Sequence, residues 1–106
     1  MKAELHIKSG LSKGGPFGLG RLGSHTIGRR SENDVHLPDK SVSRKHCRID
    51  FDGEHHWIID CESHNGTFVN QRKVSRCMLY SGDVIRVGKI QLEFLVEEPA
   101  NDDDEW

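Results

Sequence analysis

Residues 40–48 read KSVSRKHCR, and they lead directly into the sequence IDF at positions 49–51. A polar, basic turn sequence therefore runs into a sequence of strand type, in which apolar and polar residues alternate. Two similar stretches flank it, TIGRR at 26–30 and ESHNGT at 62–67. Each combines turn residues with the edge of a strand-type segment. We therefore expect three loops that leave the same end of a sheet structure.

Short strand-type segments recur along the whole chain between clusters of turn residues, and no segment has helical periodicity. The predicted strands are 4–8, 17–19, 25–28, 35–37, 47–51, 56–60, 67–70, 84–87 and 90–96. This spacing predicts an all-β fold, a two-sheet antiparallel β-sandwich with ligand-binding loops at one end. Apolar residues two positions apart are expected to face the core. These pairs are Ile49 and Phe51, Trp57 and Ile59, Ile85 and Val87, and Leu92 and Phe94.

The charges of the chain are unevenly distributed. Six of the 17 acids lie in the last ten residues, so the rest of the chain holds 11 acids against 15 bases. We predict one binding domain over residues 1–96, followed by an acidic disordered tail or linker over 97–106. The acids at 102–105 would either stay solvated or fold back onto the basic loops as a phosphate mimic. The basic excess of 1–96 suits a local anionic ligand better than a long polyanion.

The location of the protein is predicted from its apolar segments and its cysteines. The sequence has no apolar run long enough for a membrane span and no secretory signal. Its three cysteines, an odd number, argue against a disulfide framework and favour a reducing compartment. We therefore expect a cytoplasmic protein, or a nuclear one in a eukaryote.

The three loops carry side chains that are suited to an oxyanion. Arg29 offers a planar fork of donors that stays charged near neutral pH, Ser43 offers a hydroxyl and Asn65 an amide. A phosphate ester carries about −1.5 to −2 charges at pH 7, which one arginine and several neutral donors nearly balance. The residues themselves thus indicate a receptor for phosphate carried on another chain.

Read together, Gly28-Arg29, Ser43-Arg44-Lys45-His46 and Asn65-Gly66-Thr67 resemble the forkhead-associated (FHA) domain, a phosphothreonine-binding β-sandwich. The sequences NDVHL at 33–37, WIID at 57–60 and GDVI at 82–85 also resemble that family. The resemblance covers about residues 3–96. Each motif alone is weak, but their order and spacing together are specific.

The resemblance implies a set of site residues. Phosphate contacts are expected from Arg29, Ser43, Arg44 and His64, peptide contacts from Asn65, Ser41 and Lys40, and structural support from Gly28, His46, Gly66 and Thr67. Asn65 would hold the main chain of the ligand just after the phosphothreonine, and His46 would brace the loop that holds Ser43. His64 replaces the small hydroxyl residue usual in the family and would be a stronger donor when protonated. Ser41 replaces a basic residue that selects an acidic ligand residue in some relatives, a role that Lys40 could take over.

The resemblance also implies a non-enzymatic binding module for signalling or assembly, with no cofactor and no metal. Its partner would be a Thr-phosphorylated protein or peptide, made by a Ser/Thr kinase acting upstream, with no membrane. The alternative is a structural or oligomerising β-sandwich without phosphate recognition. A nucleic-acid binder that uses the basic stretch 29–48 is less favoured, since no stacking aromatics lie near those arginines.

Three other motifs in the sequence do not predict a site. The sequence GLGRLG at 18–23 matches G-x-G-x-x-G, but strand-type residues follow where a dinucleotide site needs a helix. The histidines and cysteines lack the paired spacing of structural zinc sites. A hydrolase triad of Ser43, His46 and Asp60 would lack the glycines that flank a nucleophile elbow.

Overall fold

The computed structural model describes residues 2–20 and 23–97, and over these residues the chain forms eleven β-strands. The strands are β1 (Lys2–Ser9), β2 (Phe17–Leu19), β3 (Ser24–Gly28), β4 (Val35–His36), β5 (Cys47–Phe51), β6 (His56–Asp60), β7 (Thr67–Val69), β8 (Arg72–Val74), β9 (Arg76–Leu79), β10 (Val84–Val87) and β11 (Ile90–Glu97). None of the described residues forms a helix that could cross a membrane.

The strands form two packed sheets. The six-stranded sheet has the order β2-β1-β11-β10-β7-β8, and the five-stranded sheet has the order β4-β3-β5-β6-β9. The all-β, two-sheet prediction is thereby confirmed. The described strands pair antiparallel with one exception, because β4 runs parallel to β3 through the pairing of Ile27 with Val35.

Large aliphatic side chains from both sheets fill the space between them. Side chains without solvent exposure include Leu5, Ile27, Ile49, Ile58, Ile85 and Leu92. The predicted inward faces of β10 and β11 are confirmed, since Val87 is also fully buried and Phe94 is 1% exposed. Burial of this apolar surface is the main source of stability in such a sandwich.

The predicted inward face of β6 was wrong. Trp57 and Ile59 are only partly buried, whereas His56 and Ile58 face the core. The register with β5 explains this orientation, since Ile58 lies opposite Ile49, and directly opposed residues point to the same face of a sheet. Trp57 and Ile59 therefore lie on the outer face of the five-stranded sheet.

Two strands, β8 and β9, were not predicted. Each lies at the edge of its sheet. Both are short, and their sequences, RKV at 72–74 and RCML at 76–79, do not alternate between apolar and polar residues. The hairpin from β7 to β8 turns at Asn70 and Gln71, whose φ angles are 51° and 73°. Two successive positive φ values are typical of the tight type I′ hairpin turn. Asn70 belongs to this turn and not to the strand predicted over 67–70.

The two longest strands, β1 and β11, pair with each other along their length. Lys2 pairs with Glu97 at one end of β1 and β11, and Ser9 pairs with Gln91 near the other. The turn before β11 touches the β4–β5 connection, since the Lys89 N–H donates to Ser41 Oγ at 2.9 Å. Glu97 therefore lies about 23 Å along β11 from that contact. Of the predicted tail 97–106, Glu97 is the last residue of β11, and 98–106 lie outside the described residues.

Candidate functional site

Three loops at one end of the sandwich are joined by backbone hydrogen bonds. We call the β3–β4 loop (29–34), the β4–β5 loop (37–46) and the β6–β7 loop (61–66) the rim loops. The Arg29 N–H donates to the Ser43 carbonyl at 3.0 Å, which joins the first loop to the second. The Cys61 N–H donates to the His46 carbonyl at 3.0 Å, which joins the second to the third. Arg29 and Ser43 are thereby placed side by side.

His46 links two rim loops through its side chain. The ring has no solvent exposure. Its Nδ1 accepts the Ser43 N–H at 3.1 Å, and its Nε2 donates to the Gly66 carbonyl at 2.9 Å. This arrangement requires the neutral tautomer with the hydrogen on Nε2. Burial lowers the pKa of His46 below the ordinary histidine value, which favours the same neutral form.

Asp60 organises the turn of the β6–β7 loop. Its carboxylate accepts the Ser63 hydroxyl at 2.5 Å, the Ser63 N–H at 3.1 Å and the Thr67 hydroxyl at 2.7 Å. Burial by itself would raise the pKa of Asp60, but these hydrogen bonds lower it below its ordinary value. Gly66 completes the turn with a φ of 89°, in the left-handed region that favours glycine. The buried Thr67 hydroxyl is thus a support of the turn that carries Asn65.

Gly28 and Asn33 hold the β4–β5 loop against the end of β3. The Asn33 amide donates to the Arg30 carbonyl at 2.9 Å and to the Arg44 carbonyl at 2.8 Å. A Cβ at Gly28 would overlap the Arg44 carbonyl oxygen and come within 2.6 Å of Asn33 Nδ2. Gly28 is one of the residues that were predicted to support the site. Its φ is not positive, and the position requires glycine because the two backbones approach closely.

Asn65 is positioned by Ser41, and Ser41 is fixed in turn. The Asn65 amide donates to the Ser41 carbonyl at 3.1 Å. The Ser41 hydroxyl donates to Asp39 at 2.6 Å and accepts the Lys89 N–H at 2.9 Å. Hydrogen bonds from Ser41 hold the pKa of Asp39 below its ordinary value, and Lys89 Nζ lies 3.3 Å from the same carboxylate. Both hydrogen-bonding functions of the Ser41 hydroxyl are therefore already used within the protein.

The rim loops enclose a surface pocket of about 460 Å³. All seven residues that were predicted to contact phosphate or peptide line this pocket. They are Arg29, Lys40, Ser41, Ser43, Arg44, His64 and Asn65, joined by Val42 and Lys45. The four predicted supports, Gly28, His46, Gly66 and Thr67, are buried behind it. The structure thus brings the predicted site residues together at one place.

The pocket is strongly cationic. Arg29, Lys40, Arg44 and Lys45 line it, and none of the aspartates and glutamates that the structure describes does. Within residues 2–20 and 23–97, the ion pairs involve other side chains, so these four cations have no carboxylate partner there. Such a pocket lacks the counter-charge that an anionic ligand would supply.

The donors of the pocket include Ser43. Its Oγ accepts the His64 N–H at 2.9 Å. Within the described part of the chain, no acceptor takes the Ser43 hydroxyl hydrogen, which is therefore available to a ligand. The triad considered above does not form, because His46 Nδ1 binds the Ser43 N–H and Asp60 binds Ser63 and Thr67. Among the same residues, no group of three or more possible ligands is placed to hold a metal ion.

Sequence reasoning missed four residues that hold the rim loops: Asn33, Asp39, Asp60 and Ser63. Two of them carried a local signal. An aspartate side chain that accepts an N–H two or three residues later makes an Asx-type turn, and D-x-S at 39–41 and D-x-x-S at 60–63 fit that spacing. Asn33 offered no such signal, because its contact with Arg44 joins residues that are distant in sequence.

Comparisons with known proteins identify the family of the chain. The family model described as "FHA domain" matches residues 25–88. The glycogen accumulation regulator GarA of Mycolicibacterium smegmatis is 36% identical over 101 residues, which are 95% of this chain and 63% of GarA. The chain thus spans less than two thirds of that relative.

Solved structures show the same fold. A structure from work on phosphothreonine-dependent FHA domain interactions has a TM-score of 0.85 at 34% identity, covering 93% of this chain and 100% of the other. Mycobacterium tuberculosis EmbR, in complex with a low affinity phosphopeptide, has a TM-score of 0.82 at 30% identity, covering 94% of this chain and 26% of EmbR. The family match covers more than half of the chain and includes all three rim loops, and the chain therefore belongs to the FHA domain family.

Proposed function

We propose that the rim-loop pocket binds the phosphothreonine of a partner protein, with Arg29, Ser43 and Arg44 on the phosphate. FHA domains are phosphothreonine-dependent binding modules, and this chain is one of them. One observation carries the residue assignment: the cations, the Ser43 hydroxyl and the Asn65 amide line one pocket, and no carboxylate among residues 2–20 and 23–97 lines it. This is the donor set that a dianionic ester requires.

Each side chain has a separate role in the proposed complex. Arg29 binds two phosphate oxygens with its planar fork, Ser43 donates its free hydroxyl hydrogen to a third, and Arg44 adds a second charge. His64, exposed at the pocket edge, becomes a further donor when protonated. Asn65 donates one amide hydrogen to the Ser41 carbonyl, so its side-chain oxygen and its other N–H remain available to the peptide backbone.

Lys40 and Ser41 take different parts in peptide binding. The exposed Lys40 ammonium is available to an acidic side chain of the ligand. The Ser41 hydroxyl is already bound to Asp39 and to the Lys89 N–H. We therefore assign to Lys40 the selection of an acidic ligand residue. The role of Ser41 is to position Asn65 through the Ser41 carbonyl group.

The strength of binding follows from these contacts. A hydrogen bond to a charged group contributes roughly 1.5–3 kcal/mol net. A few such bonds, together with peptide contacts, give a free energy of binding of about −8 kcal/mol, which corresponds to a micromolar dissociation constant. Threonine is preferred to serine if its methyl group is enclosed, which is worth roughly 1–3 kcal/mol in a fitted pocket.

The proposal includes the biological setting. The domain binds without catalysis, and its ligand is a Thr-phosphorylated protein made by a Ser/Thr kinase, in signalling or assembly. The binding domain extends through Glu97, the last residue of β11, and the acidic residues after it serve as a linker. The three free cysteines of the described chain, Cys47, Cys61 and Cys77, support a reducing cytoplasmic setting.

Titration with matched peptides tests the function. A phosphothreonine peptide, its unphosphorylated twin and its phosphoserine analogue are compared by isothermal titration calorimetry, and only the first is expected to bind with micromolar affinity. Arg29→Ala should weaken binding by about a hundredfold or more, because two charge-assisted bonds are lost. Ser43→Ala should weaken it by roughly tenfold to a hundredfold.

Arg72→Ala is the matched control, because Arg72 is an exposed arginine on β8 that does not line the pocket. It should leave the affinity unchanged. Normal binding by folded Arg29→Ala would refute the assignment of the phosphate site. Equal binding of the unphosphorylated twin would instead favour a β-sandwich without phosphate recognition.

A further inference from the structure

The outer face of the six-stranded sheet carries a row of cations that begins beside the pocket. Phe68 pairs with Lys73 on one side and with Arg86 on the other, and Arg86 pairs with Gln91. Directly opposed residues point to the same face. Since Thr67 and Val69 face the core, Phe68 and the residues opposite it face outward. Lys8 completes the set of five, because it lines the same groove as Arg86 and Gln91. We call Lys73, Phe68, Arg86, Gln91 and Lys8 the cationic row.

The row adjoins the phosphate pocket. The Lys73 side chain lies against Gly66, so that a Cβ there would be 2.8 Å from Lys73 Cε. Gly66 directly follows Asn65, which lines the pocket. A peptide that leaves the pocket over Asn65 therefore meets Lys73 first. From β8 to β1 the row crosses four strand spacings, or about 19 Å, which an extended chain of about six residues covers.

The cations of the row are available to a ligand. The Arg86 guanidinium lies 4.0 Å from the centroid of the Phe68 ring and donates to the Gly88 carbonyl at 3.3 Å, so it is held in place without a carboxylate. The ion pairs among residues 2–20 and 23–97 include none of Lys8, Lys73 and Arg86. The row thus combines an aromatic ring with three positive charges that have no ion-pair partner in the described part of the chain.

A groove of about 310 Å³ runs along one part of the row, where Arg86, Gln91 and Lys8 line it. Among the residues that the structure describes, no aspartate or glutamate lines this groove. The neighbouring set of opposed residues on the same face contains an acid, because Glu93 pairs with Val84 and with His6. Lys2, at the far end of β1, lies 3.7 Å from Glu4. The cations of this face that have no ion-pair partner among the described residues therefore include the three in the half nearest the rim loops.

We propose that the cationic row is a second docking site, which binds an acidic segment of the same partner that presents the phosphothreonine. This inference rests on the proposed function, because the phosphate anchors the partner beside the row. Carboxylate side chains pair with Lys73, Arg86 and Lys8, and an apolar side chain packs near the Phe68 ring. Charge complementarity and the short reach from Asn65 favour a peptide over a nucleic acid, whose long backbone would also meet Glu93.

Paired phosphopeptides test the inference. The short form carries two residues on each side of the phosphothreonine, and the long forms add about ten residues, rich in aspartate and glutamate, on the amino or the carboxyl side. At least one long form should bind about three- to tenfold more tightly than the short form, as two or three exposed ion pairs allow. This gain should shrink as the salt concentration rises.

Charge-reversal variants test whether the cationic row causes the tighter binding of the long peptides. Arg86→Glu should abolish it and leave the affinity for the short peptide unchanged. The double variant Lys8→Glu/Lys73→Glu serves the same purpose without disturbing the packing of Arg86 on Phe68. Arg72→Glu is the matched control, since Arg72 precedes Lys73 on β8 and points to the opposite face. It should retain the gain.

The outcomes are separable. Failure of the short peptide to bind would refute the proposed function itself. Two results would overturn the second site alone, provided that the short peptide binds normally. In one, neither long form binds more tightly than the short form; in the other, the charge-reversal variants show the same gain as the unmodified protein. In a further result, the charge-reversal variants lose affinity for a DNA duplex and still bind the long acidic peptides more tightly than the short one. That result would assign the row to nucleic acid and would also overturn the proposed docking site.

Discussion

Replacement of His46 by leucine tests how the pocket is held. The His46 ring is fully buried and joins two rim loops, through the Ser43 N–H at 3.1 Å and the Gly66 carbonyl at 2.9 Å. Leucine fills a similar volume but has no polar atom. His46→Leu therefore removes both hydrogen bonds and leaves little empty space.

The size of the effect follows from the two groups that lose their partner. A buried donor or acceptor left unsatisfied costs about 1–3 kcal/mol, so the Ser43 N–H and the Gly66 carbonyl together cost about 2–6 kcal/mol. A domain of this kind has a total stability of about 5–15 kcal/mol. The variant should be strongly destabilised but still partly folded. Its affinity for a phosphothreonine peptide should fall at least about tenfold, because the Ser43 hydroxyl and Asn65 lose their fixed positions.

The assay pairs urea denaturation with peptide titration under conditions in which the variant is folded. Leu79→Ala is a control of comparable cost, about 2–5 kcal/mol. Leu79 is 3% exposed and pairs with His56 at the end of β9, away from the rim loops. If both variants lose the same stability and bind peptide equally well, His46 contributes only to the core. If His46→Leu lowers the free energy of unfolding by less than about 1 kcal/mol, the cost expected for the unsatisfied Ser43 N–H and Gly66 carbonyl is refuted.

Three further predictions follow from the structure. Burial lowers the pKa of both His46 and His56 in the folded state, so the unfolded chain binds more protons below about pH 6.5. The free energy of unfolding should fall as the pH drops from 7.5 to 5, by about 1.4 kcal/mol per pKa unit and group; a flat profile in urea denaturation would contradict this. Gly28→Ala should cost roughly 1–3 kcal/mol and most of the peptide affinity, because the new methyl group overlaps the Arg44 carbonyl; an unchanged affinity in calorimetry would show that the loops can shift without loss. Deletion of residues 98–106 should leave the affinity unchanged, because β11 ends away from the pocket; tighter binding would favour the phosphate-mimic hypothesis.

The sequence predicted most strands because their apolar residues alternate and turn residues separate them. It failed where that signal was ambiguous. In the run Trp57-Ile58-Ile59 the apolar residues are consecutive, so the pattern fits either face, and only the pairing with β5 selects Ile58 for the core. The strands β8 and β9 were missed because they are only three and four residues long and their sequences do not alternate between apolar and polar residues.

The site was predictable to a similar degree and for a similar reason. Arg29, Ser43 and Asn65 lie in short polar motifs whose donors suit an anion, so the sequence indicates their chemistry directly. The residues that hold the loops depend on tertiary contacts. Asn33 reaches a carbonyl eleven positions away at Arg44, and Asp39 meets Lys89 across the sandwich. Such contacts exist only once the sheets are packed.

The hydrogen bonds that hold the rim loops have a consequence for regulation. They are complete without any ligand, since the Arg29 N–H, the His46 ring and the Asp60 carboxylate all have their partners inside the protein. The recognition surface is therefore preorganised, and little conformational entropy is lost when a partner docks. Association should be a single fast step, and differences among partners should appear mainly in their residence times. Such a domain does not need to change its own conformation to bind. Binding and release are then controlled by the enzymes that add the phosphate to the partner and remove it.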